Sequence, residues 1–221
     1  MTEGLLRSFQ VRNYRFFWAS NTSVRFAEQM QLLVLSWFVV NETDSLLLLG
    51  LFGALRFTGT LFGAAYGVVV DRSNRRQLLI GVRLVITTLS TAVLLLVVTD
   101  RLELWHVFAL TSVGGLTRAF DNITRQTLLG DVMRKEELIN AMALDRTGSD
   151  ASQIVGPMLG GIMLSRFDMG PVYLAIVAVN LLGISCSLLV RPASPVEANS
   201  SPSVWRSLVE GGGDIRQNDA V

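Results

Sequence analysis

Glu28 follows Arg25 by three residues in a mainly apolar stretch, and Arg56, Arg83, Arg118 and Asp121 are each set inside a long apolar run. An ionisable group in such surroundings costs several kcal/mol unless it meets a partner or faces water, so each is a functional candidate by default. The chemistry on offer is charge pairing that protonation of the acid would break, or the lining of a polar cavity. Helix rises about 1.5 Å per residue, which puts Arg83 and Asp121 about 10 Å from the inner membrane surface, Arg25 and Arg118 about 15 Å, and Glu28 and Arg56 about 20 Å. Opposite charges thus recur at matching depth. Arg83 with Asp121 reads as a structural pair near the cytoplasmic ends. Arg25, Glu28 and Arg56 read as cavity groups, with Arg118 beside them, because three charges near mid-membrane on two helices exceed what one neutral pair requires. Asp145 and Arg146 read as interfacial, His106 as a solvated residue at an outer helix start, and Trp18, Trp37 and Trp105 as an aromatic belt.

The elements that hold these groups are membrane helices. Of 221 residues, 50% are hydrophobic and 17% charged, the mean hydropathy is +0.45, and soluble domains carry nearer a quarter charged residues. A span needs about 20 mostly apolar residues. Runs over 16–40, 46–69, 77–99, 104–127, 138–165 and 171–190 meet that length; 171–190 has no charge at all, and 77–99 carries only Arg83. The expectation is an all-α membrane protein with six transmembrane helices, a short N-terminal segment (1–15), and a polar linker over 191–221 with a short amphipathic helix at 204–210. Lys and Arg accumulate in cytoplasmic loops. With the N-terminus inside, the inner segments hold Arg7, Arg12, Arg15, Arg72, Arg75, Arg76, Arg134, Lys135, Arg191, Arg206 and Arg216, against Arg101 and Arg166 outside. Both termini are therefore expected in the cytoplasm.

Several classes are excluded by composition. A formal net charge of +1 leaves no nucleic-acid footprint, and a single Cys186 and a single His106 exclude an internal disulfide and the usual structural zinc site. No cofactor is expected, and no Gly-x-x-x-x-Gly-Lys-Ser/Thr phosphate loop is present. A membrane-embedded serine hydrolase would have to use His106 as its base, and the placement of that residue near the outer surface argues against it.

Two further patterns carry a mechanism. Between the second and third runs stands Gly67-Val-Val-Val-Asp71-Arg72-Ser-Asn-Arg75-Arg76. Gly67 suits a close approach of two helices, and Asp71 suits a helix N-terminus or a nearby Arg. The order resembles motif A of the major facilitator superfamily of secondary transporters. In the fifth run, Gly156-Pro157-Met-Leu-Gly160-Gly161 resembles the core of that superfamily's motif C, associated with its antiporters, with Ser152 where the leading glycine usually stands. Asn13-Tyr14-Arg15, Arg25-Phe-Ala-Glu28-Gln29 and Asp121-Asn122-Ile-Thr-Arg125-Gln126 narrow the likeness to the efflux branch that includes enterobactin exporters and macrolide efflux proteins. That branch has Gly-Asp where Ala27-Glu28 stand and proline where Ile123 stands.

The resemblance covers about residues 10–220 and implies the N-terminal six-helix half of a major facilitator fold, built from two three-helix repeats. It implies export of a small organic molecule, drug or siderophore, by alternating access with proton antiport in the cell membrane. The implied partners are the lipid bilayer, the substrate, and a second six-helix half or a second copy of the chain. The rival expectation is a truncated membrane protein that does not transport, or one subunit of a split transporter.

Overall fold

The structure, a computed structural model, describes residues 6–133 and 135–190. The segment 191–221, with the helix expected at 204–210, lies outside the described residues, as do the side chains of Leu6, Arg7, Ala64, Val68, Asp71, Arg72, Lys135 and Glu136. The chain is all-α, with no strand among the described residues. The helices are α1 (Arg12–Thr43), α2 (Leu46–Leu55), α3 (Gly63–Arg72), α4 (Arg75–Val98), α5 (Leu104–Val132), α6 (Lys135–Arg166) and α7 (Met169–Leu189), with 3-10 turns at Leu6–Gln10 and Thr58–Phe62.

Local chemistry sets several ends. Asp44 closes α1 in the left-handed conformation, φ 49°, and its N–H reaches the Val40 carbonyl. The Ser45 side chain accepts the Leu48 N–H, and Asn74 accepts the Gln77 N–H, so α2 and α4 each start with a capped orphan donor. Glu103 and His106 form a reciprocal capping box at the start of α5. His106 is thus a helix cap, its Nδ1 accepting the Glu103 N–H at 3.2 Å.

The second run does not form the continuous helix expected over 46–69. It breaks after Leu55, passes through the 3-10 turn and resumes at Gly63. The cause is a close approach to α5: a Cβ on Gly59 would lie 2.3 Å from the Gly115 carbonyl oxygen, and one on Gly115 would lie 2.6 Å from the Leu55 carbonyl oxygen. Backbone freed by the break is partly satisfied by side chains. Thr58 Oγ1 donates to the Leu55 carbonyl at 2.9 Å and Thr60 Oγ1 to the Phe57 carbonyl at 2.7 Å.

Helix α1 packs chiefly along α6 and α7, and α5 chiefly along α4 and the 3-10 turn, while α4 also packs on α7. Exchanging the first three runs for the last three maps each of these contacts onto another. The α1–α6 contact becomes α5 against the broken run, α1–α7 becomes α5–α4, and α4–α7 maps onto itself. The packing therefore carries the two-repeat relation. Among the described residues, only α4 and α7, each with mean hydropathy 2.2, are long and apolar enough on composition alone to cross a membrane; Leu46–Phe62 is a shorter apolar stretch. Helices α1, α5 and α6 carry more charge, and the layering of the core explains where much of it goes. One apolar cluster holds Val34, Phe52, Val93, Val107 and Ile176; another holds Tyr14, Phe17, Leu79, Leu128 and Val190. Between them on every one of α1, α4, α5 and α7 lies a polar stretch.

Candidate functional site

That polar layer lines a partly open cavity of about 90 Å³. Helix α1 supplies Arg25 and Glu28 one turn apart, the break after α2 supplies Arg56, and α5 supplies Arg118 and Asp121. The four groups read as cavity residues from the sequence all line it. Glu28 Oε1 lies 2.7 Å from Arg118 Nε and 3.5 Å from Arg56 Nη2. Arg118, at the shorter distance, is the nearer partner. Arg25 forms no ion pair among the described residues; its guanidinium donates to the neutral Asn122 Oδ1 at 3.0 Å.

Below the cavity Arg83, 1% exposed, lies 3.5 Å from Asp121. Its hydrogen bonds go elsewhere, to Ser20 and Asn21 on α1 and to Ser187 Oγ on α7 at 2.5 Å. Asn21 in turn donates to Asp145 at 2.9 Å, Arg125 pairs with the other Asp145 oxygen, and Arg125 also donates to Asn122 at 2.9 Å. Arg83, Asn21, Asp145, Arg125, Asn122 and Arg25 thereby form one connected chain across four helices.

Asp145, expected at the interface, is drawn into this chain: its side chain is only 13% exposed and meets Asn21 and Arg125. Arg146, one residue on, points outward and pairs with Asp150 at 3.1 Å. Charge matching by depth also missed Ser20, Asn21 and Ser187, because neutral side chains leave no sign to match. The available signal was a serine and an amide side by side in an apolar run. Trp18 departs from the belt as well: its Nε1 donates to the Leu144 carbonyl and its ring stacks edge-on against Phe9, whereas Trp37 and Trp105 are exposed.

Around motif A, Arg75 Nη1 reaches both carboxylate oxygens of Asp131, at 2.6 and 2.7 Å, and Arg76 donates to the Leu188 carbonyl at 2.7 Å. These bonds tie the start of α4 to the ends of α5 and α7. Among the described residues, a Cβ on Gly67 would meet nothing within 4 Å. The motif C glycines are unequal. A Cβ on Gly156 would lie 2.8 Å from Gln29 Cβ, but one on Gly160 would be in ordinary contact with Met30 at 3.5 Å, and Gly161 touches only the Leu33 side chain. Gly148 packs as closely as Gly156, a Cβ there lying 2.8 Å from Thr22 Oγ1 and 3.1 Å from Trp18 Nε1. Pro157 lies inside the uninterrupted α6, and Ser152 is buried, donating to the Gly148 carbonyl at 2.7 Å.

A family model described as the Major Facilitator Superfamily matches residues 17–220. The chain belongs to that superfamily. Its membership makes it a multi-pass membrane protein of a transporter family, which accounts for charge buried between apolar helices. The chain is similar to macrolide efflux protein A of Streptococcus pyogenes, 23% identical over 211 residues, covering 92% of this chain and 51% of that protein. It is also similar to macrolide efflux protein A of Enterococcus faecalis, 25% identical over 167 residues, covering 73% of this chain and 50% of that protein. The chain spans about half the length of the curated relatives it matches.

Proposed function

We propose that this chain is the N-terminal half of a secondary transporter that exports a small organic molecule, drug or siderophore, from the cell in exchange for protons. Alternating access needs a second six-helix half as the opposing wall, supplied by further sequence, a separate chain or a second copy. Both termini face the cytoplasm in this reading, in keeping with the bias of basic residues to the inner segments. Support comes from the family, from relatives named for efflux, and above all from one observation: Glu28 is held between Arg118 and Arg56 in a cavity at membrane depth. Proton uptake by Glu28 would remove the charge that both guanidinium groups share. They would then be free to engage substrate or separate, which couples protonation to the shape of the cavity.

The test is Glu28→Gln in the transporter with both halves present, reconstituted in liposomes with an imposed proton gradient. The expected result is wild-type abundance with loss of proton-driven efflux. Unchanged, pH-dependent efflux would remove Glu28 from the coupling role. Reduced abundance would make the Glu28 cluster a structural clamp.

A further inference from the structure

We infer that the cavity binds an organic anion, specifically a small carboxylate with an apolar body. The inference rests on the reading of this cavity as a substrate site, and it names the class of ligand. Charges facing the cavity come from three places: Arg25 and Glu28 on α1, Arg56 at the end of α2, and Arg118 and Asp121 on α5. Asp121 faces Arg83 on α4, and Glu28 is shared between Arg56 and Arg118. Arg125, the other guanidinium near Arg25, is matched by Asp145. Three arginines therefore share the single charge of Glu28, and Arg25, attracted to Glu28 and Asp121 without pairing with either, hydrogen-bonds only an amide oxygen among the described residues. Uncompensated cations at this depth are costly, and a bound anion is the ligand that offsets the cost. The planar guanidinium fork suits a carboxylate, which it can grip through two parallel hydrogen bonds. The rest of the wall carries no charge: Leu32, Leu35, Phe52 and Leu110 are apolar, and Gln31, Ser90, Thr111 and Asn180 are neutral. An occupant matched to both walls has one anionic end and a hydrocarbon or aromatic remainder.

The experiment uses the purified 221-residue chain in phosphatidylcholine nanodiscs, which contain no anionic lipid. Equilibrium dialysis at neutral pH compares 2-naphthoate with 2-naphthylmethylammonium, near-isosteric probes of opposite charge, against empty discs. The expected result is saturable naphthoate binding at least about tenfold tighter than that of the ammonium, weakened about tenfold by Arg25→Gln, the worth of one charge-assisted hydrogen bond. Arg25→Lys keeps the cation and should retain most of the preference. No saturable binding of either probe, equal binding, preference for the cation, or naphthoate binding indifferent to Arg25→Gln would overturn the inference. Naphthoate binding by a protein whose two-half form moves nothing would uphold the inference and sink the transport reading. Proton-driven efflux confined to cations would do the reverse.

Discussion

Arg83 is enclosed by α1, α4, α5 and α7, and each neighbouring helix meets it differently: α1 with Ser20 and Asn21, α7 with Ser187, α5 with Asp121. Removing the guanidinium strips three acceptors of their donor and leaves Asp121, 7% exposed, without its counter-charge. Breaking a buried pair from one side costs about 3–5 kcal/mol. Arg83→Leu is therefore expected to lower the thermal midpoint and membrane abundance sharply. Arg25→Gln should leave both near wild type, because a neutral amide can still donate to Asn122. Melting of the detergent-solubilised variants checks the contrast, and equal midpoints would deny Arg83 its structural place. Matching opposite charges by depth was enough to bring Arg83 to Asp121 and Glu28 to Arg56. It was blind to Asn21 and Asn122, the neutral links through which the charges are joined. It also left out Asp145, which is joined to the other charges through Asn21 and Arg125.

At the scale of elements, tight contacts occupy positions related by the repeat exchange. Gly59 and Gly115 bring the broken second run onto α5, while Gly156 brings α6 onto α1. A methyl group at Gly59 would overlap the Gly115 carbonyl, and neither backbone can yield without moving a helix. Overpacking of this kind costs about 1–3 kcal/mol. Gly59→Ala and Gly156→Ala should each destabilise the chain within that range, whereas Gly67→Ala meets open space and should shift stability by less than about 0.5 kcal/mol. Heat-induced loss of monodisperse protein ranks the three; a Gly67→Ala loss as large as that of Gly59→Ala would contradict the packing. The six apolar runs were legible because a bilayer demands their length. The break after Leu55 was not, since the run stays long enough to span despite Arg56, Thr58 and Thr60, and the interruption falls where Gly59 meets α5, a partner remote in sequence.

For the whole molecule, orientation and the need for a second wall each have a direct readout. Reporter fusions after Thr43, Asp100 and Asp168 should signal an external position, and fusions after Asn74, Lys135 and Ser200 an internal one; an external signal at Ser200 would refute an even number of spans. The need for a second wall is decided by the cavity. Its walls come from α1, α2, α4, α5 and α7, and α6 presents Ile154, Met158 and Ile162 outward, all more than 45% exposed. A cavity walled by one half can bind, but it has nothing to rock against, and without a second wall it cannot be closed on one side while open on the other. Liposomes holding only the purified, monomeric chain should therefore show no uphill efflux under a proton gradient, even where the chain binds ligand. Adding the second half should restore it. Sustained uphill efflux by the monomeric chain would show that six helices alternate access by themselves and would overturn the two-half reading. Uphill efflux confined to a cross-linkable dimer would instead identify a second copy as the missing wall, and cross-links should then fall on the exposed face of α6.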